Sequence, residues 1–176
     1  MLHNTRFGVS KKTIVIASSI VVIILGGVIA GILIHQRNLD QNAKNDTSKS
    51  GENPQFATAL PNGKSISSLG GWNRISPPEK DPVFAYEDKI GNVSITVSEQ
   101  PLPASFKNDI DTQVTELAKS FNATTPIAAG NVKAYLGTSA KGPQSVIFAK
   151  NNLLILIKSQ QKVDDKDWAK YIESLN

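Results

Sequence analysis

The stretch Ser145–Ser159, SVIFAKNNLLILIKS, decides the fold. Ser145–Lys150 and Leu153–Ser159 are rich in aliphatic and aromatic residues, and Asn151-Asn152 between them suits a tight turn. Two such runs joined by a two-residue polar link read as a β-hairpin. The LLILI run is apolar at consecutive positions, so both of its faces are expected to be covered, as in a central strand.

Working outward, Asn131–Thr138 (NVKAYLGT) alternates and adds a strand before this hairpin. Val83–Glu87 (VFAYE) and the alternating Val93, Ile95 and Val97 flank a turn at Asp88–Gly91, giving a second hairpin. Between the hairpins the period changes. Phe106, Ile110, Val114, Leu117 and Phe121 fall at helical spacing, with Lys107, Asp109, Asp111, Glu116 and Lys119 on the wetter side. Asp164-Asp165 then open a closing helix with Trp168, Ile172 and Leu175 on one face. The acidic start suits the positive end of the helix dipole and can cap its free N–H groups. The order is β-β-α-β-β-β-α. The expected architecture is α+β, a mostly antiparallel sheet of four or five strands packed against one or two helices.

The N-terminal third reads differently. Thr13–Ile34, TIVIASSIVVIILGGVIAGILI, carries no charge. As a helix it would span about 33 Å, against roughly 30 Å of hydrocarbon. It is expected to be a transmembrane helix with the lipid bilayer as its partner. A cleaved signal peptide is the rival reading, but the run is long and passes into His35-Gln36-Arg37 without a cleavage site. Lys11 and Lys12 precede it and Arg37 alone follows closely, so residues 1–12 are expected in the cytoplasm and the C-terminal domain outside. Gly26, Gly27, Ala30 and Gly31 form small-xxx-small pairs that would allow self-association within the membrane. Residues 35–59 are polar and read as a flexible tether, and residues 60–176 as the extracytoplasmic domain. The expected location is thus a single-pass protein of the cell membrane.

The formal charge of +4 and the pI near 9.3 belong mainly to the N-terminal tail. From Leu60 onward 13 basic residues face 12 acidic ones, so nucleic acid is not an expected partner. With no cysteine, and histidine only at His3 and His35, the domain lacks the parts for Ser-His-Asp, Cys-His and common zinc chemistry. Asp164, Asp165 and Asp167 lack the spacing and glycine of a calcium loop and read as a helix start. Ser139 and Lys141 lie in a glycine-flanked turn rather than a serine–lysine site. Glu87, Asp88 and Glu99 could offer paired carboxylates, but read as surface charge. Trp72 and Trp168 read as core or domain-edge aromatics. No catalytic, cofactor-binding or metal-binding residue is assigned. Three Asn-x-Ser/Thr triplets, at Asn45, Asn92 and Asn122, matter only where a glycosylation pathway uses them.

FAYEDKIGNVSITVSEQPLP, NVKAYLGTSAKGPQSVIFAKNNLLILIKS and DWAKYIESL, in that succession, resemble a class of small bacterial extracytoplasmic domains of unknown function found downstream of one membrane helix. The resemblance covers about residues 83–176, and some such domains are associated with anti-sigma or sporulation proteins. It implies no catalytic residues. The functional expectation is a membrane-anchored, non-enzymatic domain that binds a ligand or another envelope protein. The alternative is a small envelope hydrolase or lyase using carboxylates or a serine–lysine pair.

Overall fold

Two-residue turns organise the sheet. Asn151 and Asn152 both adopt left-handed backbone angles, φ 52° and 59°, which asparagine tolerates better than most residues. They set Lys150 opposite Leu153 and so fix the register of the hairpin on either side. The computed structural model describes residues 52–176. Its strands are β1 (Asn73–Arg74), β2 (Phe84–Ile90), β3 (Val93–Pro101), β4 (Thr125–Ala129), β5 (Val132–Thr138), β6 (Gln144–Lys150) and β7 (Leu153–Ser159). The helices are α1 (Ile110–Ser120) and α2 (Asp165–Ser174), with a 3₁₀ turn at Ala104–Phe106. The seven strands form one sheet in the order β1-β2-β3-β7-β6-β5-β4, and every neighbouring pair is antiparallel.

The α+β class and the central place of β7 agree with the sequence reading, but the full expected fold is corrected. The described residues form seven strands, not four or five. Among the described residues no helix is long and apolar enough to cross a membrane. The transmembrane helix expected over Thr13–Ile34 lies outside the described residues. Single-pass topology, bilayer contact and self-association through Gly26, Gly27, Ala30 and Gly31 lie outside them too, and nothing among the described residues carries them. The cell-membrane location built on them is corrected with them, because what is described is an α+β domain alone.

The register divides the side chains between two faces. Phe84, Tyr86, Ile95, Val97, Ile155, Ile157, Val146, Phe148, Ala134 and Ile127 share one face. Trp168 and Ile172 of α2, both fully buried, pack there with Leu175. The N-terminal segment closes the rest of this face. Trp72 lies edge-on to Tyr86 and Phe84, with centroids 5.3 and 6.3 Å away, and Phe56 lies 6.0 Å from Phe84. Trp72 is thus a core residue despite its glycine-rich approach. Leu60 and Asn176 exchange two backbone hydrogen bonds at 3.0 Å, and Asn62 N–H donates to Ser174 O at 2.8 Å. The segment before the first strand is thereby fastened to the end of the chain.

The opposite face is covered over β5 and β6 by α1, through Val114, Leu117 and Ala118. Asp109 caps this helix by accepting the Thr112 N–H at 3.2 Å. Phe106, expected as the first residue of the helical stripe, is fully buried in the preceding 3₁₀ turn, while Ile110 is 38% exposed. At the far end Gly137 meets the turn after α1. A Cβ there would lie 3.0 Å from Asn122 O and 3.3 Å from Ala123 Cβ, so glycine permits the approach. Asp164 precedes α2 without a side-chain cap; its carbonyl accepts the Asp167 and Trp168 N–H groups instead.

Candidate functional site

Burial puts a carboxyl group inside the closed face. Glu99 has 0% exposure and stands beside Phe84 on one side and Ile155 on the other. Its Oε2 accepts the Ala59 N–H at 3.0 Å, while its Oε1 has no protein partner. Loss of solvent pushes its pKa up to about 7, partly offset by the Ala59 N–H, which favours the charged form. Tyr86 Oη donates to Ala59 O at 3.2 Å, so the same residue is held from two sides. Nearby, Tyr171 Oη donates to Asp88 Oδ2 at 2.9 Å and Lys64 Nζ reaches Asp88 Oδ1 at 2.5 Å. Both tyrosine hydroxyls are held well above the usual phenol range, chiefly by burial. The cluster ties the N-terminal segment to the sheet and leaves no opening to Glu99. Its chemistry is cohesive.

The other face has an opening. Over the part of this face that α1 leaves clear, the register sets Glu87, Thr96, Lys158 and Ser145 side by side on β2, β3, β7 and β6. Lys158 thus stands on the middle strand of seven. It is half-buried, and burial holds its ammonium below the usual lysine pKa. No carboxylate of the described residues lies within ion-pair distance of it; Lys64, Arg74, Lys119 and Lys170 all have such partners. Thr96 Oγ1 donates to Glu87 Oε1 at 2.8 Å, which directs that carboxylate toward β3. Ser145, half-exposed, flanks Lys158 on the other side. The arrangement is a ledge with one under-solvated cation and hydroxyl-bearing neighbours.

A separate cleft of about 130 Å³ lies between the start of α1 and β5, lined among others by Ile110, Val114, Lys133 and Tyr135. It is smaller than the roughly 300–1,000 Å³ of ordinary small-molecule sites. Tyr135, one of its lining residues, shares a 2.6 Å hydrogen bond with the Thr115 hydroxyl of α1.

The residues weighed from the sequence are not brought together. Glu87 projects on the ledge face, whereas Asp88 and Glu99 project on the closed face; Glu99 is buried rather than surface charge. Ser139 and Lys141 are exposed in a tight turn closed by Ser139 N–H to Pro143 O at 2.8 Å. Asp164, Asp165 and Asp167 are exposed at the start of α2. Lys158 escaped the sequence reading because a lone lysine closing an apolar strand resembles a strand terminus. The available signal was its position at alternate spacing from Leu154 and Leu156 in a run apolar on both faces.

Comparison with protein-family models, curated proteins and solved structures finds no match. The resemblance to extracytoplasmic domains carried after one membrane helix is corrected accordingly. What stands is a seven-stranded sheet with two helices. The expected function is corrected as well: neither the anchor nor a catalytic arrangement of carboxylates or of Ser139 and Lys141 is present among the described residues.

Proposed function

We propose that this domain binds a small ligand bearing a carboxylate or phosphate group on the open half of its sheet, with Lys158 as the charged contact. The observation that carries this reading is Lys158 itself, half-buried on the central strand without an anionic partner among the described residues. Holding an ammonium group partly out of water costs free energy, and an incoming anion would offset that cost. Ser145 adds a hydroxyl beside it, and Thr96 is turned toward Glu87. Glu87, at the outer end of the row, would disfavour a second negative charge on that side.

The test is an NMR titration of the full chain with inorganic phosphate and, separately, with acetate. Saturable shifts centred on Thr96, Ser145 and Lys158, lost in Lys158→Met, are expected for at least one anion. The relative response to the two anions separates phosphate from carboxylate recognition. Non-saturating shifts spread over all exposed lysines would overturn the reading.

A further inference from the structure

The two edges of the sheet are finished differently. In an antiparallel ladder a residue's N–H and C=O point to the same neighbouring strand, and the direction alternates along the chain. Ile75 N–H donates to Val83 O at 2.9 Å, and Val83 N–H donates to Ser76 Oγ at 3.0 Å. Val83 therefore faces outward from β2, and so do Ala85, Glu87 and Lys89. Asn73 of β1 lies opposite Ala85, but β1 is only two residues long. Continuing it would require residue 71 opposite Glu87 and residue 69 opposite Lys89. Gly70 and Gly71 instead take φ of 87° and 92°, and Gly71 N–H turns back to Ile66 O at 2.9 Å. Among the described residues, the outward N–H and C=O of Glu87 and Lys89 consequently have no backbone partner, and both residues are exposed.

The same alternation at the far edge gives a contrasting result. The two-residue turn Gly130-Asn131 pairs Ala129 with Val132, so Ala129, Ile127 and Thr125 face β5. Pro126 and Ala128 face outward, and Pro126 has no N–H to offer. A proline at an outward edge position blunts strand addition without removing a bond from the sheet. One edge is thus guarded, while a four-group stretch of the other is open.

We infer that the open edge of β2 pairs with the same edge of a second copy of this chain about a two-fold axis. The residues at this edge are self-complementary. Antiparallel pairing centred on Asp88 sets Glu87 against Lys89 of the second copy, and Lys89 against its Glu87. That gives four backbone hydrogen bonds and two opposite-charge cross-strand pairs. Asp88 meets its own counterpart at the axis, but its carboxylate is already occupied by Lys64 and Tyr171. The second copy's Gly91 comes level with Ala85, which Asn73 already faces, so its Gly91-Asn92 turn meets the end of β1 and the pairing goes no further than Ile90. So short a contact falls well below the roughly 1,200–2,000 Å² of a standard stable interface, so association is weak and concentration-dependent.

Sedimentation of the full chain over a concentration series tests this, reading the passage from an 18.9 kDa monomer to a dimer. Glu87→Lys and Lys89→Glu each place like charges opposite one another twice, and each is expected to weaken the dimer at least about tenfold. The double exchange restores opposite pairs and should return the dissociation constant to within about threefold. Lys89→Pro removes only an outward N–H and should give a monomer, with the fold checked by circular dichroism. A wild-type chain that stays monomeric throughout, a dimer indifferent to these variants, or a double exchange that fails to restore pairing would each overturn the inference.

Discussion

The two faces of this sheet use burial in opposite ways. On the closed face, α2 and the N-terminal segment seal Phe84, Ile155, Phe148 and Trp168 together with one carboxyl group, Glu99. On the other face, α1 covers β5 and β6 and leaves Lys158 half-buried without a partner. Both ionisable groups are shifted toward neutrality by lost solvation. Glu99 is sealed and tied to Ala59, so its shift becomes a property of folding. Lys158 remains reachable, so its shift can become a property of binding.

The largest expected difference comes from adjacent residues of β7. Ile155 points into the closed face with 0% exposure, and Leu156 points to the half-exposed one. Ile155→Ala should cost about 2–5 kcal/mol through lost transfer energy and a cavity that cannot collapse. Leu156→Ala should cost less than about half as much, because its site already admits water. Denaturant midpoints of the two variants compare them directly. Equal costs would erase the distinction between the faces.

Glu99 gives the next effect. Its ordinary pKa is 4.5 and its folded value about 7, so the folded protein holds this proton more tightly. The corresponding stability is fully present below about pH 4.5 and is lost as pH rises through 7, a change of about 3 kcal/mol at most. Denaturation at pH 5 and pH 8 should show wild type weakening at the higher pH. Glu99→Gln should flatten that trend and exceed wild type at pH 8. An unchanged slope in Glu99→Gln would assign the dependence to another group.

Gly137→Ala probes the covered part of the second face. Its new methyl group would press on Asn122 O and Ala123, which are backbone and a short side chain with little freedom to yield. A loss of about 1–3 kcal/mol is expected, read by thermal unfolding. Displacement of α1 should also change the Thr115–Tyr135 contact, visible in tyrosine fluorescence.

How much of this was readable from the sequence follows from the length and purity of each signal. The LLILIKS and SVIFAK strands declared themselves because each is long, apolar and set off by Asn151-Asn152. β1 could not be seen, since two residues, Asn73 and Arg74, carry no period. β4 was hidden because Thr125–Ala129 contains Pro126 and a single large apolar residue, as suits an edge. The α1 stripe ran one turn too far toward the N-terminus, as Phe106 satisfies helical spacing from a 3₁₀ turn. Glu99 read as surface charge because VSEQ looks like a strand running into solvent. Its burial depends on Ala59, forty residues earlier, which alternation within one strand cannot report.

Lys158 brings the smallest stability effect and the most specific functional one. Lys158→Met keeps an aliphatic side chain of similar length on the same face of β7 and removes the under-solvated ammonium group. Stability should therefore stay within about 1 kcal/mol of wild type, and any change should be a gain, since no ion pair among the described residues is lost. Anion-dependent shifts at Thr96 and Ser145 should vanish in the same variant. Glu99→Gln provides the opposite control, moving stability with pH while leaving those shifts intact. If Lys158→Met instead destabilised the fold by several kcal/mol, the ammonium group would be serving the sheet, as Glu99 does. The two faces would then differ only in which helix covers them.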